Sequence, residues 1–119
     1  MNVAVRVVLA SDDDQRPAPG TPVRVELRDT TLADAPSTLV AATDGVLERD
    51  GDELVADTVI DVDDDAFTPQ TALTLWARSG DTARRGVARG DWVTMQSHPV
   101  RRADVYGEGP IEITLRPVR

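Results

Sequence analysis

PVRVELRDTTLADAPSTLVAA, residues 22–42, is the stretch from which the rest of the chain can be read. It opens on strict alternation: Val23, Val25 and Leu27 fall on one side, and Arg24, Glu26 and Arg28 on the other. A period of two is that of a strand with one face on a core and one in water. Asp29 ends the apolar run, and residues 30–36 supply short polar side chains, alanines and Pro36, which cannot continue a ladder. A second apolar run, residues 39–42, follows at once. The stretch predicts a strand, a tight corner and a second strand.

Outward from it the same grammar repeats. Residues 2–9 alternate with Val3, Val5, Val7 and Leu9 on the inward side. Residues 11–21, an acidic triplet with two prolines and a glycine, read as the exposed loop between the first strand and the second. Two Asp-Gly pairs come next. Asp50-Gly51, between residues 46–49 and 52–55, predicts a hairpin turn, and Asp44-Gly45 a bulge or bend within a longer strand. Leu54, Ala56, Thr58, Ile60 and Val62 then share a face, as do Leu73, Leu75 and Ala77, with Trp76 and Arg78 opposite. Val93, Met95 and Ser97 give a weaker strand that breaks at His98-Pro99, with Trp92 out of phase. Ile111, Ile113 and Leu115 form the last strand, ended by Pro117. No helical period emerges, and only residues 32–36 suit a single helical turn. Seven to eight short strands separated by turn signals predict an all-β protein, an antiparallel two-sheet β-sandwich, with residues 1–119 as one domain. With 3% aromatic residues, its core must come from Val, Leu, Ile and Ala.

Composition excludes more than it selects. The net charge is −8, which disfavours a nucleic-acid backbone binder. All 13 basic residues are arginine, as codon bias in a GC-rich genome produces; adaptation to high salt is the sharper reading of an acidic, lysine-free surface. There is no cysteine, hence no disulfide, thiolate nucleophile or cysteine metal site. No apolar run is long enough to insert in a membrane, and no basic segment followed by an apolar core opens the chain. As given, it reads as cytoplasmic; with a trimmed signal segment it would be an envelope or exported protein.

Residues 19–42 resemble the type III secretion lipoprotein-chaperone (YscW-like) family, which includes the YbaY-type envelope lipoproteins. The shared pattern is Pro19-Gly20, the alternating strand from Val23 to Leu27, Asp29, Thr30-Thr31, and Ala33-Asp34-Ala35-Pro36. Looser likenesses are the strand from Leu73 to Arg78 and the step His98-Pro99-Val100. The resemblance implies a transthyretin-like β-sandwich in an exported, usually lipidated protein, whose pilotin members bind a secretin segment. It carries no catalytic residues. Asp29, Asp34 and Pro36 read as corner-makers, through Asp capping of backbone N–H groups and the fixed φ of proline.

Candidate chemistry is sparse. Ser97 and His98 are adjacent, so in a strand they point to opposite faces and cannot act as a nucleophile–base pair. His98 is expected as an exposed residue before a proline. Asp12, Asp13 and Asp14, and Asp61, Asp63, Asp64 and Asp65, are carboxylate runs of the sort that calcium takes. Neither has the spacing, glycine and terminal glutamate of an EF-hand, so both read as solvated loops. One histidine and no cysteine leave little for zinc. No carboxylate pair is singled out for glycosidase work, and few aromatics are present to stack a sugar. No metal or cofactor is expected.

Trp76 and Trp92, if exposed beside arginines such as Arg78 or Arg89, are anchors of the sort found at protein interfaces; otherwise they cover the sheet ends. Arg84-Arg85 and Arg101-Arg102 are expected in solvent. The sequence therefore points to a non-enzymatic domain that binds another, unknown protein through an outer sheet face or an unpaired edge strand. The tentative binding residues are Trp76, Arg78 and Trp92. A homodimer through an edge strand is one form such a contact can take. The alternative is a small-ligand domain that holds a saccharide or calcium with its end loops.

Overall fold

The computed structural model describes residues 2–10, 16–31, 36–66, 68, 70–80, 90–96, 98–101 and 109–118. Among the described residues nine strands run in order: β1 (Asn2–Leu9), β2 (Pro22–Asp29), β3 (Thr38–Val46), β4 (Glu48–Asp50), β5 (Glu53–Asp61), β6 (Leu73–Ser79), β7 (Trp92–Thr94), β8 (His98–Val100) and β9 (Ile111–Pro117). A 3-10 turn, Asp64–Ala66, follows β5. The predicted alternation holds in β1, β2 and β6, where Val3, Val5, Val7, Val23, Val25, Leu27, Leu73, Leu75 and Ala77 are all buried.

The strands form one continuous ladder, in the order β3-β2-β6-β7-β9-β1-β5-β4, with β8 also paired to β6. Two separate sheets were expected. What joins the halves is β1 beside β9, in register Val5–Ile111 through Leu9–Leu115, and this pair is parallel. Alternation tells which side chains go inward but is the same for a parallel and an antiparallel neighbour, so the sequence pattern could not anticipate it. The sheet curls until β3 packs near β5, and it is nearly closed. Inside lie Ile60, Leu47, Trp92, Ile113 and Leu115 with the valines of β1 and β2.

The second Asp-Gly pair makes the predicted hairpin: β4 and β5 pair in register Glu48–Val55 to Asp50–Glu53, and Gly51 between them has φ 63°. The first pair lies inside β3, where Gly45 is opposite Val23. At Leu47, which is fully buried, the run bends from β3 into β4. The bend is held by Leu47 N–H to Thr21 O at 3.0 Å and Gly20 N–H to Leu47 O at 2.7 Å. The corner that ends β2 is built by Asp29, whose Oδ1 accepts the N–H and the hydroxyl of Thr31. Thr31 Oγ1 in turn accepts Ala72 N–H at 2.9 Å, tying the corner to the start of β6. The expected helical turn at residues 32–36, and Asp34 with it, lies outside the described residues except for Pro36.

The weak strand of the sequence is two strands. β7 pairs with the end of β6 and β8 with its start, in register Leu73–Val100 to Leu75–His98. The phase expected for β7 is reversed. Ser79 opposite Trp92 puts Trp92 on the inward face, 1% exposed, while Met95 is 55% exposed. A three-residue strand has too few positions to reveal its phase, and a shift of one residue inverts every side chain. His98, opposite the inward Leu75, is half-buried and not the exposed residue anticipated.

Candidate functional site

The outward face of β3, β2 and β6 carries the arrangement that best suits recognition. Because alternate residues share a face, Arg24, Glu26 and Arg28 stand in a row on β2. The β6 register sets Arg78 opposite Arg24, Trp76 opposite Glu26 and Thr74 opposite Arg28. On the other flank Asp44 and Ala42 of β3 lie opposite Arg24 and Glu26. Trp76 is half-buried at the centre, where Arg24 and Arg28 occupy the diagonal positions across the strand pair.

Glu26 organises this row. Its carboxylate is forked between Arg24 Nε at 3.0 Å and Arg28 Nε at 2.9 Å. Burial pushes the Glu26 carboxyl up, but the hydrogen bonds and charges of Arg28 and Arg24 outweigh it and hold the group below its ordinary value. Arg24 also approaches Asp44 at 3.7 Å, and Arg28 donates to Ser37 O at 3.4 Å. The two guanidiniums are thereby fixed side by side with about a third of their surface in solvent. Arginine and tryptophan are the residue types enriched where proteins meet, and here the arginines are held in place beside the ring.

Two of the three residues singled out from the sequence belong to this face. Trp76 is there as expected. Arg78 is there too, but buried against its neighbours, 5% exposed. Trp92 is corrected: it is a core residue on the opposite side of the sheet, so it anchors the fold and not a partner. Arg84, Arg85, Arg89 and Arg102 lie outside the described residues, as do Ser97 and the Asp12–Asp14 run. The Glu26 fork was missed. Its signal was the Arg-Glu-Arg alternation on β2, which reads as a solvated face until β3 and β6 bury the central carboxylate.

A second polar cluster crosses β1, β5 and β4. Arg6 is bidentate to Asp57, with Nε to Oδ1 at 2.9 Å and Nη2 to Oδ2 at 3.2 Å, and its Nη2 also reaches Asp50 Oδ2 at 3.0 Å. The hydrogen bond from Arg6 keeps the Asp57 carboxyl below its usual value. These groups line a shallow open groove with Gly45, Val46 and Val55. Among the described residues no three His, Cys, Asp or Glu side chains converge as metal ligands. No helix among them is long and apolar enough to cross a membrane.

The fold is similar to that of a pilotin. A solved structure of an alternative pilotin from the type II secretion system of Vibrio cholerae matches 100% of this chain and 97% of that one, with a TM-score of 0.70 and 18% sequence identity. At that identity the likeness is one of fold. No family model matches the chain, and a search of curated proteins finds no match. The pilotin-like architecture is thus established, and the YscW-like pattern of residues 19–42 has no family model behind it.

Proposed function

We propose that this chain is a non-enzymatic domain that binds another protein in a secretion-related, envelope-associated setting, as a pilotin does. The observation that carries the reading is the full-length likeness to the Vibrio cholerae pilotin, in which neither chain has a large unmatched portion. The face around Trp76 supplies the contact surface, with Arg24 and Arg28 held in place by Glu26. In this reading the corner from Asp29 to Pro36 reflects remote kinship with the YscW-like group, and the curled sheet is a variant of the transthyretin-like sandwich.

The test is a pull-down from the envelope and soluble fractions of the source organism, comparing the folded domain with Trp76→Ala. A component of a secretion channel retained by the wild type and lost by the variant is the expected result. Equal retention by both proteins, or none by the wild type at several salt concentrations, overturns the reading.

A further inference from the structure

The ladder registers lay out the face around Trp76 as three rows. Leu39, Arg28, Thr74 and Pro99 stand in line across the strands, as do Asp44, Arg24, Arg78 and Val93. Between them Ala42, Glu26 and Trp76 form the middle row, and the β6–β7 register continued by two residues adds Met95. The rows differ in exposure. Arg78 and Val93 are both buried, so the row through Arg24 is closed at that end. Met95 at 55% and Leu39 at 44% are open, and they lie at opposite margins of the face.

Positive charge collects at the middle of the face. Arg24 and Arg28 are about 13 Å apart at Cα, four residues along one strand, yet both lean inward and give Glu26 a bond each from Nε. One carboxylate thus serves two guanidiniums. Beyond that, Arg28 donates Nη1 to Ser37, and Arg24 Nη1 stands 3.7 Å from the exposed Asp44, too far for a hydrogen bond. Among the described residues, Nη2 of neither arginine has a partner. With Arg78, the face carries three arginines against Glu26 and Asp44, a net of +1 in a chain of −8.

We propose that this face takes a partner segment in which one acidic side chain is flanked by apolar ones. The carboxylate accepts from the unspent Nη groups of Arg24 and Arg28, the side chains best suited to hold it. The apolar neighbours lie on Trp76 and Met95 to one side and on Leu39 and Ala42 to the other. β3 and β7 are three strand spacings apart, about 14 Å, close to the span of positions i and i+4 in an extended chain, which puts the acidic residue at i+2. Charge decides among the occupants. A basic segment is repelled at the two arginines and drawn to the acidic remainder of the chain. A second copy brings a body of −8, and pairing the two faces adds another of the same sign. An acidic segment is repelled by the chain as a whole and accepted at this face, so charge supplies specificity and the apolar flanks supply affinity.

The proposal rests on the reading that the Trp76 face binds a protein, and it names the chemistry of what is bound. The probe is a synthetic peptide, Leu-Ser-Glu-Ser-Leu, capped at both ends so that glutamate carries its only charge. One control has lysine for glutamate, and the other has serine for both leucines. At millimolar concentration the glutamate peptide should shift the Trp76 indole and the Arg24 and Arg28 Nε–H signals of the labelled domain. Both controls should bind at least about tenfold more weakly. In the domain, Arg28→Gln should weaken the glutamate peptide about two- to fivefold. Asp44→Asn leaves the Glu26 fork intact and removes a competing carboxylate from beside Arg24. It should tighten binding about two- to fivefold, which a damaged fold would not do. Equal binding of the glutamate and lysine peptides, shifts that map away from Trp76, no shift at all, or no gain with Asp44→Asn overturns the proposal. So does self-association of the free domain through this face, which would make a second copy the occupant. A peptide that fails beside a Trp76→Ala pull-down that succeeds rejects the acidic segment and keeps the protein-binding reading; failure of both rejects that reading too.

Discussion

Replacing Gly45 with alanine puts a single methyl group where the fold has left no room. The added Cβ would stand 2.7 Å from Thr58 Cγ2, against about 3.5–4.0 Å for an ordinary carbon contact, so roughly 1 Å of movement is required. Thr58 has little freedom to give way: it is 9% exposed, β-branched and on the inward face of β5. Overpacking of this sort costs about 1–3 kcal/mol. The φ of Gly45 is not left-handed, so alanine also gains about 0.4–1 kcal/mol from a less disordered unfolded chain. The net expectation is a loss of about 1–2 kcal/mol, or a fall in melting temperature of roughly 3–8 °C for a domain of this size. Urea unfolding gives the free energy directly, and Thr58→Ser supplies the second side of a double-mutant cycle, because it deletes the clashing methyl and keeps the hydroxyl. In that background the cost of Gly45→Ala should fall by about 1 kcal/mol or more. A neutral Gly45→Ala, or a cost unchanged by Thr58→Ser, would show that β3 and β5 do not meet as described.

Glu26→Gln should lower stability near neutral pH by about 1–2 kcal/mol, less than for a fully buried pair because Arg24 and Arg28 are a third exposed. Glu26 titrates below its ordinary value of 4.5 in the fold, so its contribution is complete above that value and is lost as the pH falls through the folded one. The difference between wild type and variant in chemical denaturation should therefore shrink in acid; a constant difference refutes the assignment. Trp92→Ala should cost about 3–5 kcal/mol as a core cavity, and Trp76→Ala no more than about 1 kcal/mol. Comparable losses in thermal melts would contradict the opposite placements of the two rings. Asp29→Ala removes the acceptor of both Thr31 bonds and should cost about 1 kcal/mol, read as a lower melting temperature, whereas an unchanged melt would mean the corner is held without Asp29.

What was legible from residue order was whatever depends on near neighbours. The alternation of Val23, Val25 and Leu27 shows which side of β2 is buried because the pleat repeats every two residues wherever the strand goes. The Asp50-Gly51 turn and the Asp29 corner are equally local, since each needs only a few residues and a particular side chain or φ angle. Trp76 on the outward face followed from the same rule, and Trp92 escaped it because three residues in β7 carry too little pattern to set a phase.

Everything that makes a site came from pairings between distant segments. Nothing in the alternation of β1 says that its neighbour is the last strand or that the two run parallel. Nothing in the run Arg24-Val25-Glu26-Leu27-Arg28 distinguishes a solvated row from the buried fork, because burial of Glu26 depends on β3 and β6 arriving on either side. The contact between β3 and β5 is the clearest case. Gly45 reads as a turn or bulge residue in the sequence, and its role appears only when β5 brings Thr58 against it. Side-chain periodicity is a property of one strand, whereas register, closure and the edges left unpaired are properties of the sheet, settled by which contacts bury the most apolar surface at once.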